Sequence, residues 1–327
     1  MVIDSLEEHT TYRFLGAPER LVQEENLALQ CATKSYLQRL SVIWSSPLSD
    51  INRVQASNQL DMPVLLYIMW SQHWCLTDLQ DIDMQVWKIV CESGCKHPLG
   101  LKATVYLPRA LGGCGMRSVE EEYKMTKIKT AIKLYSNKDF TMSLVWAFEE
   151  NVAHQVISRL SKRLEHLQRN WGSPLTWVSH TPSVVTIQTD VADVHRDKIN
   201  SHLKKAVLEQ RKTEVKEKRW QGKFLTARWE DDQLNQRGCF ALLKNWDTAP
   251  THTIAGMLEI YEQLTPTKVY HARKTHINLP NDTLCRLCCK TSKSIPHVLV
   301  GCPVLAQNKY QVRHDAALKV PAVLGNA

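Results

Sequence analysis

The residues with the clearest chemistry lie near the C-terminal end, in the pattern Cys285-x2-Cys288-x8-His297-x4-Cys302. Two cysteines separated by two residues form a turn whose backbone amides face the thiolates, and a histidine with a third cysteine completes a tetrahedral shell. Four protein ligands leave no coordination position for water. The pattern therefore predicts one structural zinc ion, whose binding energy folds a segment too small for its own core.

Two details of this segment affect the assignment. Cys289 directly follows Cys288 and is an alternative ligand, but Cys288 is preferred because two intervening residues is the commoner spacing. Pro303 follows Cys302 and suits the first turn of a helix, which we predict to run to about residue 319. Lys309 and Arg313 would lie one turn apart on the same face of that helix.

Two other groups of potential ligands predict no metal chemistry. Cys91 and Cys95 would be one turn apart at a helix end near His97, where a buried cysteine behaves as a small apolar residue. Asp231 and Asp232 sit among polar residues, whereas paired catalytic aspartates need an exposed turn between apolar strands. We therefore expect neither a second metal site nor two-metal catalysis.

The elements that must position these residues are mainly helical. Apolar residues recur at helical spacing over 22–44, over 51–74 with a kink or division at Pro63, and over 77–94. Ser118 and Glu121 form a capping-box pattern at the start of a further helix. Alternating β-branched residues predict a short hairpin within 177–188, and Gly112-Gly113 predicts a tight turn or a close backbone approach.

Charge is unevenly distributed along the 327 residues, whose formal net charge is +8. Residues 1–100 carry seven Lys and Arg against twelve Asp and Glu, whereas residues 268–319 carry nine against two. A basic end favours acidic partners, so we expect RNA or DNA. The cations expected to contact backbone phosphates are Lys124, Lys127, Lys129, Lys133, Lys204, Lys205, Lys309 and Arg313.

The remaining composition bounds the cellular setting. The first twenty residues are polar and charged rather than a signal peptide, and no stretch reaches the roughly 18 apolar residues of a membrane helix. Clustered Cys and His in a reducing setting favour metal binding over disulfides. We expect an intracellular protein, in the nucleus or cytoplasm, with neither a membrane nor a small-molecule substrate as partner.

Several strings along the chain are too specific to be generic. They are Tyr12-Arg-Phe-Leu-Gly16, Trp44-Ser-Ser-Pro-Leu-Ser-Asp50, Tyr106-Leu-Pro-Arg109 with Gly112-Gly-Cys-Gly115, Trp220-Gln-Gly-Lys-Phe-Leu225, Ala249-Pro-Thr-His252, the Cys/His pattern itself, Leu305-Ala-Gln307, Tyr310 and Arg313-His314. Together they resemble the C-terminal part of the polyprotein of non-LTR, LINE-like retrotransposons that carry a restriction-like endonuclease.

The resemblance implies four parts. Residues 1–20 would be the end of a palm-like segment, and 21–170 a thumb-like helical domain that grips the template–primer duplex. Residues 171–267 would be a hairpin and helical linker, and 268–327 a basic Cys-Cys-His-Cys zinc-knuckle module. The chain would thus be a nucleic-acid-binding fragment of a reverse transcriptase that begins at the end of the palm and stops before the endonuclease.

Departures from the family pattern limit what is carried over. No Asp-Asp pair lies in an apolar hairpin, only thirteen residues follow His314, and Cys114 stands where relatives often have arginine. We therefore expect no enzymatic activity from this chain alone. Two alternatives remain open: a non-functional relic or zinc-stabilised interaction module, and a polymerase whose missing half is supplied in trans.

Overall fold

The computed structural model describes residues 12–14, 17–19, 25–70, 72, 74–136, 139–141, 144, 176–177, 186–188, 193–245, 249–275 and 283–315. Its described part is mostly helical, which confirms the expected fold class. The helices are α1 (Glu25–Ser45), α2 (Asp50–Ala56), α3 (Met62–Met69), α4 (Leu76–Glu92), α5 (Lys102–Tyr106), α6 (Val119–Ser136), α7 (Arg196–Lys216), α8 (Lys223–Glu230), α9 (Gln236–Cys239), α10 (Ala241–Asn245), α11 (Thr251–Tyr261), α12 (Lys268–Thr275) and α13 (Pro303–Leu305).

Five short strands make up two small sheets. β1 (Tyr12–Phe14) pairs antiparallel with β2 (Ala17–Glu19). β3 (Thr176–Trp177), β4 (Thr186–Gln188) and β5 (Asp193–His195) form an antiparallel sheet in chain order. The β3–β4 pairing confirms the hairpin expected within 177–188, and β5 extends it by one strand.

The first core is built by α1, α3, α4 and α6. Tyr36, Leu40 and Trp44 lie four residues apart on α1 and are buried, because this spacing places them on one face of the helix. Leu79, Ile82, Val86 and Val90 form the matching face of α4 and belong to the same cluster of buried residues. The helical spacing in the sequence therefore identifies the inward faces correctly.

Pro63 lies just after an irregular turn rather than within a regular helix. Residues Ser57–Asp61 form a π-helical turn between α2 and α3, and Pro63 occupies the first turn of α3. Proline lacks an N–H, so this position accommodates it with little loss of hydrogen bonding. The turn also places Asp61 in the interior, where neither of its carboxylate oxygens has a hydrogen-bond partner among the described residues.

The N-terminus of α6 is capped by two side chains. The Glu121 N–H donates to the Ser118 hydroxyl over 3.3 Å, which is half of the expected capping box. Asp83 of α4 accepts the N–H groups of Val119 and Glu120 at 2.8 and 3.2 Å. The Glu121 carboxylate instead pairs with Arg211 of α7 at 2.6 Å, and burial raises its pKa to about 7.

A second core joins distant parts of the chain. Leu107 and Cys114 pack in one buried cluster with Leu225, Phe240 and Leu258. A Cβ on Gly113 would lie 2.0 Å from the Leu107 carbonyl oxygen, which confirms the close backbone approach expected at the glycine pair. The boundary expected near residue 170 lies outside the described residues, whereas α5 contributes buried residues to both cores.

Two buried ion pairs connect the elements around these cores. Lys96 pairs with Glu262, whose carboxylate also accepts the Leu101 N–H at 2.7 Å and the Thr104 hydroxyl. Arg109 pairs with Asp50 and donates to the Leu243 carbonyl oxygen at 2.8 Å. Residues near position 100 are thereby held by groups more than 130 positions later in the chain.

Candidate metal centre and nucleic-acid interface

The backbone of residues 283–292 forms a narrow loop that presents the first two cysteines. Leu284 pairs with Ser292 as an isolated bridge, and the Cys285 N–H donates to the Thr291 carbonyl oxygen over 2.8 Å. Cys289 closes the loop with a φ of 53°, a left-handed conformation that is uncommon for a residue other than glycine. The turn thus aims Cys285 and Cys288 in the same direction.

The predicted ligand set comes together in space. The ligand atoms of Cys285, Cys288, His297 and Cys302 all lie within 4.8 Å of one another, so this group could hold one metal ion. With Zn–S bonds of about 2.3 Å, sulfurs around a tetrahedral ion lie roughly 3.8 Å apart, so small adjustments would complete the shell. Cys289 is exposed and outside this group, in agreement with the preference for Cys288.

Backbone amides already favour the ionised sulfurs. The N–H groups of Cys288 and Leu287 face the Cys285 sulfur and lower its pKa to about 6. The N–H of Lys290 likewise lowers the pKa of the Cys288 thiol. Metal binding requires thiolates, so the loop prepares these two ligands in advance.

The other two ligands have different surroundings. Burial raises the pKa of the Cys302 thiol, although the N–H groups of Leu305 and Val304 oppose this effect. A hydrogen bond with the Cys285 sulfur raises the pKa of His297. Cys302 therefore lacks the net preference for the thiolate that the first two ligands have.

Thr291 orients the histidine ring. Its Oγ1 lies 2.9 Å from Nδ1 of His297, whereas Nε2 lies 3.4 Å from the Cys288 sulfur. In the tautomer with its proton on Nδ1, the imidazole donates to Thr291 and leaves Nε2 free for a metal. A partner of this kind fixes the ring orientation at histidine metal sites.

Tyr310 ties the segment after Cys302 to the ligand loop. Its hydroxyl accepts the Cys302 N–H at 3.1 Å and faces the carbonyl oxygens of His297 and Val298 at 3.1 and 2.9 Å. Arg313 donates to the Leu299 carbonyl oxygen at 2.6 Å, and its guanidinium lies 4.8 Å from the Tyr310 ring centroid. Residues 303–315 are helical and exposed at Lys309 and Arg313, as expected.

Two of the predicted phosphate-contacting lysines are inside the protein. Lys124 is buried and pairs with Glu120 one turn earlier on α6. Lys127 is buried, donates to the Trp70 carbonyl oxygen at 2.9 Å and lies over the Tyr123 ring. Their position on the inward side of α6 corrects the expectation of a phosphate-binding lysine row, because their ammonium groups do not face solvent.

The remaining predicted cations differ in their exposure. Lys129 is half-buried and interacts within the protein, and the side chain of Lys133 lies outside the described residues. Lys204 and Lys205 are exposed on α7. The exposed members of the predicted set are therefore Lys204, Lys205, Lys309 and Arg313.

The structure also brings together residues to which the sequence assigned no role at these sites. Thr291 and Tyr310 contact the ligand segment but carry no spacing signal of their own. Arg219 and Trp220 lie in the turn after α7, close to Arg273 of α12. The basic composition near Lys218 and Lys274 was the only sequence feature that indicated an approach of this turn to α12. No local pattern connects Arg219 with Arg273, which are 54 residues apart.

The other candidate ligands have different surroundings. The buried Cys95 thiol lies 2.7 Å from Asp50 Oδ1, and within the described ranges Cys91, Cys95 and His97 form no metal-binding group. Asp231 and Asp232 are exposed after α8, where Asp231 accepts the Gln233 N–H at 3.0 Å. The Cys/His group at 285–302 is thus the candidate metal centre of the described part of the chain.

No protein family matches this chain. No curated protein is significantly similar to it either. Among the described helices, none has the length and apolar character needed to span a bilayer.

Proposed function

We propose that this chain binds nucleic acid and that one zinc ion stabilises its C-terminal module. The observation that carries the proposal is the convergence of three cysteines and one histidine beside the exposed Lys309 and Arg313. Zinc suits a closed set of sulfur and imidazole donors, and three cysteines with one histidine is a common structural zinc set. The ion would hold the loop that supports the cationic helix.

The exposed cations would supply the affinity. Lys204 and Lys205 on α7, with Lys309 and Arg313, can neutralise backbone phosphates and release counterions. Such contacts position the protein but do not read base sequence. The expected activity is thus salt-dependent binding of RNA, DNA or both, without catalysis by this chain.

The resemblance to non-LTR retrotransposon polyproteins is consistent with this proposal. It would make the helical cores a thumb-like duplex grip and the Cys/His segment a zinc knuckle. The helical architecture and the grouped ligands agree with that expectation at the level of fold class. The retrotransposon origin itself rests on the sequence strings quoted above.

A second candidate function is a zinc-stabilised protein-interaction module. Four apolar side chains around the ligand segment are exposed: Leu287, Val300, Val304 and Val312. Exposed apolar groups in one small region are typical of interaction sites. A protein partner would cover these side chains, whereas phosphate binding would use the cations beside them.

A binding titration at several salt concentrations tests the first proposal. The probes are single-stranded RNA, single-stranded DNA and duplex DNA of equal length. Removing Lys309 and Arg313 together (K309Q/R313Q) should reduce the slope of log affinity against log salt by about 1.8 for a duplex. The matched control K34Q/K88Q removes two exposed lysines from the acidic N-terminal part and should leave the slope unchanged.

The outcomes separate the two candidate functions. A flat salt response of the wild-type protein would rule out phosphate-driven binding. If C285S loses zinc but still binds nucleic acid, the metal has only a structural role and is not needed for binding. The wild type could fail to bind nucleic acid and self-associate instead. If V300S/V304S then reduces this self-association, the result favours the protein-interaction module.

A further inference from the structure

Two arginines and a tryptophan lie where the turn after α7 approaches α12. Arg219 and Trp220 lie in the turn between α7 and α8, and Arg273 lies on α12. The Arg273 guanidinium carbon is 5.4 Å from the Trp220 ring centroid. Both arginine residues are exposed, although part of Arg273 is covered.

The two guanidinium groups have no acidic partner among the described residues. The Arg273 guanidinium lies over the Trp220 ring, and within those ranges neither Arg273 nor Arg219 has an ion pair or a side-chain hydrogen bond. Partial burial lowers the pKa of Arg273, and the positive charge of Arg219 lowers it further. An anion bound beside both arginines would offset the repulsion between their charges.

The aromatic neighbours hold this arrangement in place. Trp220 contacts the buried Tyr270 edge to face, with ring centroids 6.2 Å apart. A guanidinium stacked on such an anchored ring is already oriented, so it loses less conformational freedom when it binds a ligand. Its planar fork matches the two oxygens of a phosphate group.

We propose that Arg219 and Arg273 together clamp one backbone phosphate of bound nucleic acid. This inference rests on the proposed function and adds a contact site to it. A polymeric phosphodiester fits better than a small anion because the exposed Lys218 and Lys274, each next to one of the arginines in sequence, add further positive charge. Trp220 acts as a positioning residue for the Arg273 guanidinium.

Single substitutions in the full-length zinc-loaded protein test the clamp. R219Q and R273Q should each weaken binding of a duplex or single-stranded probe about tenfold, because a charged hydrogen-bonded contact is lost. R273K keeps the charge but not the planar fork, so it should still lose most of that factor. The double variant R219Q/R273Q should lose little more than either single variant, since both arginines serve one phosphate.

Two controls separate the clamp from general charge loss. K218Q removes a neighbouring exposed lysine and should weaken binding no more than about threefold, through the salt-dependent contribution alone. R228Q is the arginine control: it removes an arginine whose guanidinium carbon lies 3.8 Å from the Phe224 ring centroid. Circular dichroism and thermal melting of each variant confirm that its fold is retained.

The results distinguish this inference from the proposed function. If the wild type binds and R219Q and R273Q match K218Q, the clamp is wrong while nucleic-acid binding stands. If R273K binds as tightly as the wild type, only charge matters and the clamp geometry is wrong. If the wild type shows no salt-dependent binding, the proposed function fails and the clamp fails with it.

Discussion

The helical part of this chain, from α1 to α12, and the candidate metal segment at 283–315 differ in how many buried apolar residues stabilise them. The first core contains 21 buried apolar residues drawn from α1 to α6 and the segments between them. Within residues 283–315 only Cys285, Ile295 and Cys302 are buried apolar residues, and two of these belong to the candidate metal group. The helical part therefore has its own hydrophobic stabilisation, whereas the proposed zinc ion would have to supply most of the folding energy of the segment at 283–315.

The same contrast applies to charged groups. The helical part buries ion pairs whose partners satisfy each other, such as Lys96 with Glu262. In the candidate metal segment, backbone N–H groups face sulfur atoms and favour their thiolate form, most clearly at Cys285. Substitutions in the two parts should consequently change different observables, and the following predictions test that separation.

The largest effect is expected from metal removal. Chelation, or the substitution Cys285→Ser, should abolish hydrogen-exchange protection across 283–315, because structural zinc contributes roughly 10–16 kcal/mol to small domains. Protection in α1, α4 and α6 should be retained. Cys289→Ser is the matched control, since that exposed thiol lies outside the ligand group. Loss of protection throughout the helical part would contradict the separation.

The next largest effect should come from the buried ion pair. Lys96→Met leaves Glu262 without its cation, and breaking a buried pair in this way costs about 3–5 kcal/mol. Urea unfolding should show this loss, whereas zinc affinity should not change. Lys88→Met removes an exposed lysine from the same region and should have little effect. Equal stability of the two variants would show that the pair contributes nothing.

Asp61 should make the helical part less stable as pH rises. Burial raises its pKa to about 7, so between the unfolded value near 3.8 and pH 7 the folded state keeps a proton that the unfolded state has lost. Stability therefore falls across this window and is lowest above it. Asp61→Asn removes this dependence and should raise the free energy of unfolding at pH 8 by about 1–3 kcal/mol.

Urea titrations at pH 4, 6 and 8 measure this effect as the difference between variant and wild type. Asp81→Asn, an exposed carboxylate on α4, is the control and should give a difference that does not vary with pH. A constant difference for Asp61→Asn as well would show that Asp61 ionises normally in the folded protein.

The smallest effect concerns Tyr310. Tyr310→Phe removes the hydroxyl that contacts Cys302, His297 and Val298, and loss of an outer-shell partner lowers metal affinity about tenfold or more. Competition with a chromogenic chelator measures this change. Tyr67→Phe, an exposed tyrosine of α3, should leave the affinity unchanged. An unaltered affinity in the Tyr310 variant would show that its hydroxyl only supports the following helix.

Local patterns were sufficient for much of the fold and for the ligand set. The spacing of Tyr36 and Leu40 identifies the buried face of α1, and the positions of Cys285, Cys288, His297 and Cys302 identify the metal group. These features could be predicted because helix periodicity and zinc-loop geometry are set by near neighbours in sequence.

Features that depend on distant neighbours were not predictable from the sequence. Lys124 and Lys127 follow a pattern typical of a solvated row, but the packing of α6 against its neighbours turns both inward. Glu121 fits a capping box, yet Arg211 competes for its carboxylate. The contact between Arg273 and Trp220 likewise depends on how α12 packs, which no local pattern specifies.

The carboxylate of Glu262 has a consequence for the order in which the protein folds during synthesis. It is the acceptor for Leu101 and Thr104, which precede it by 161 and 158 positions. At 5–20 residues per second, the ribosome needs roughly 8–30 s to make the intervening chain. During that interval the residues that complete the second core are not yet made. The apolar side chains of the Leu101–Leu107 segment are then available for a chaperone to recognise.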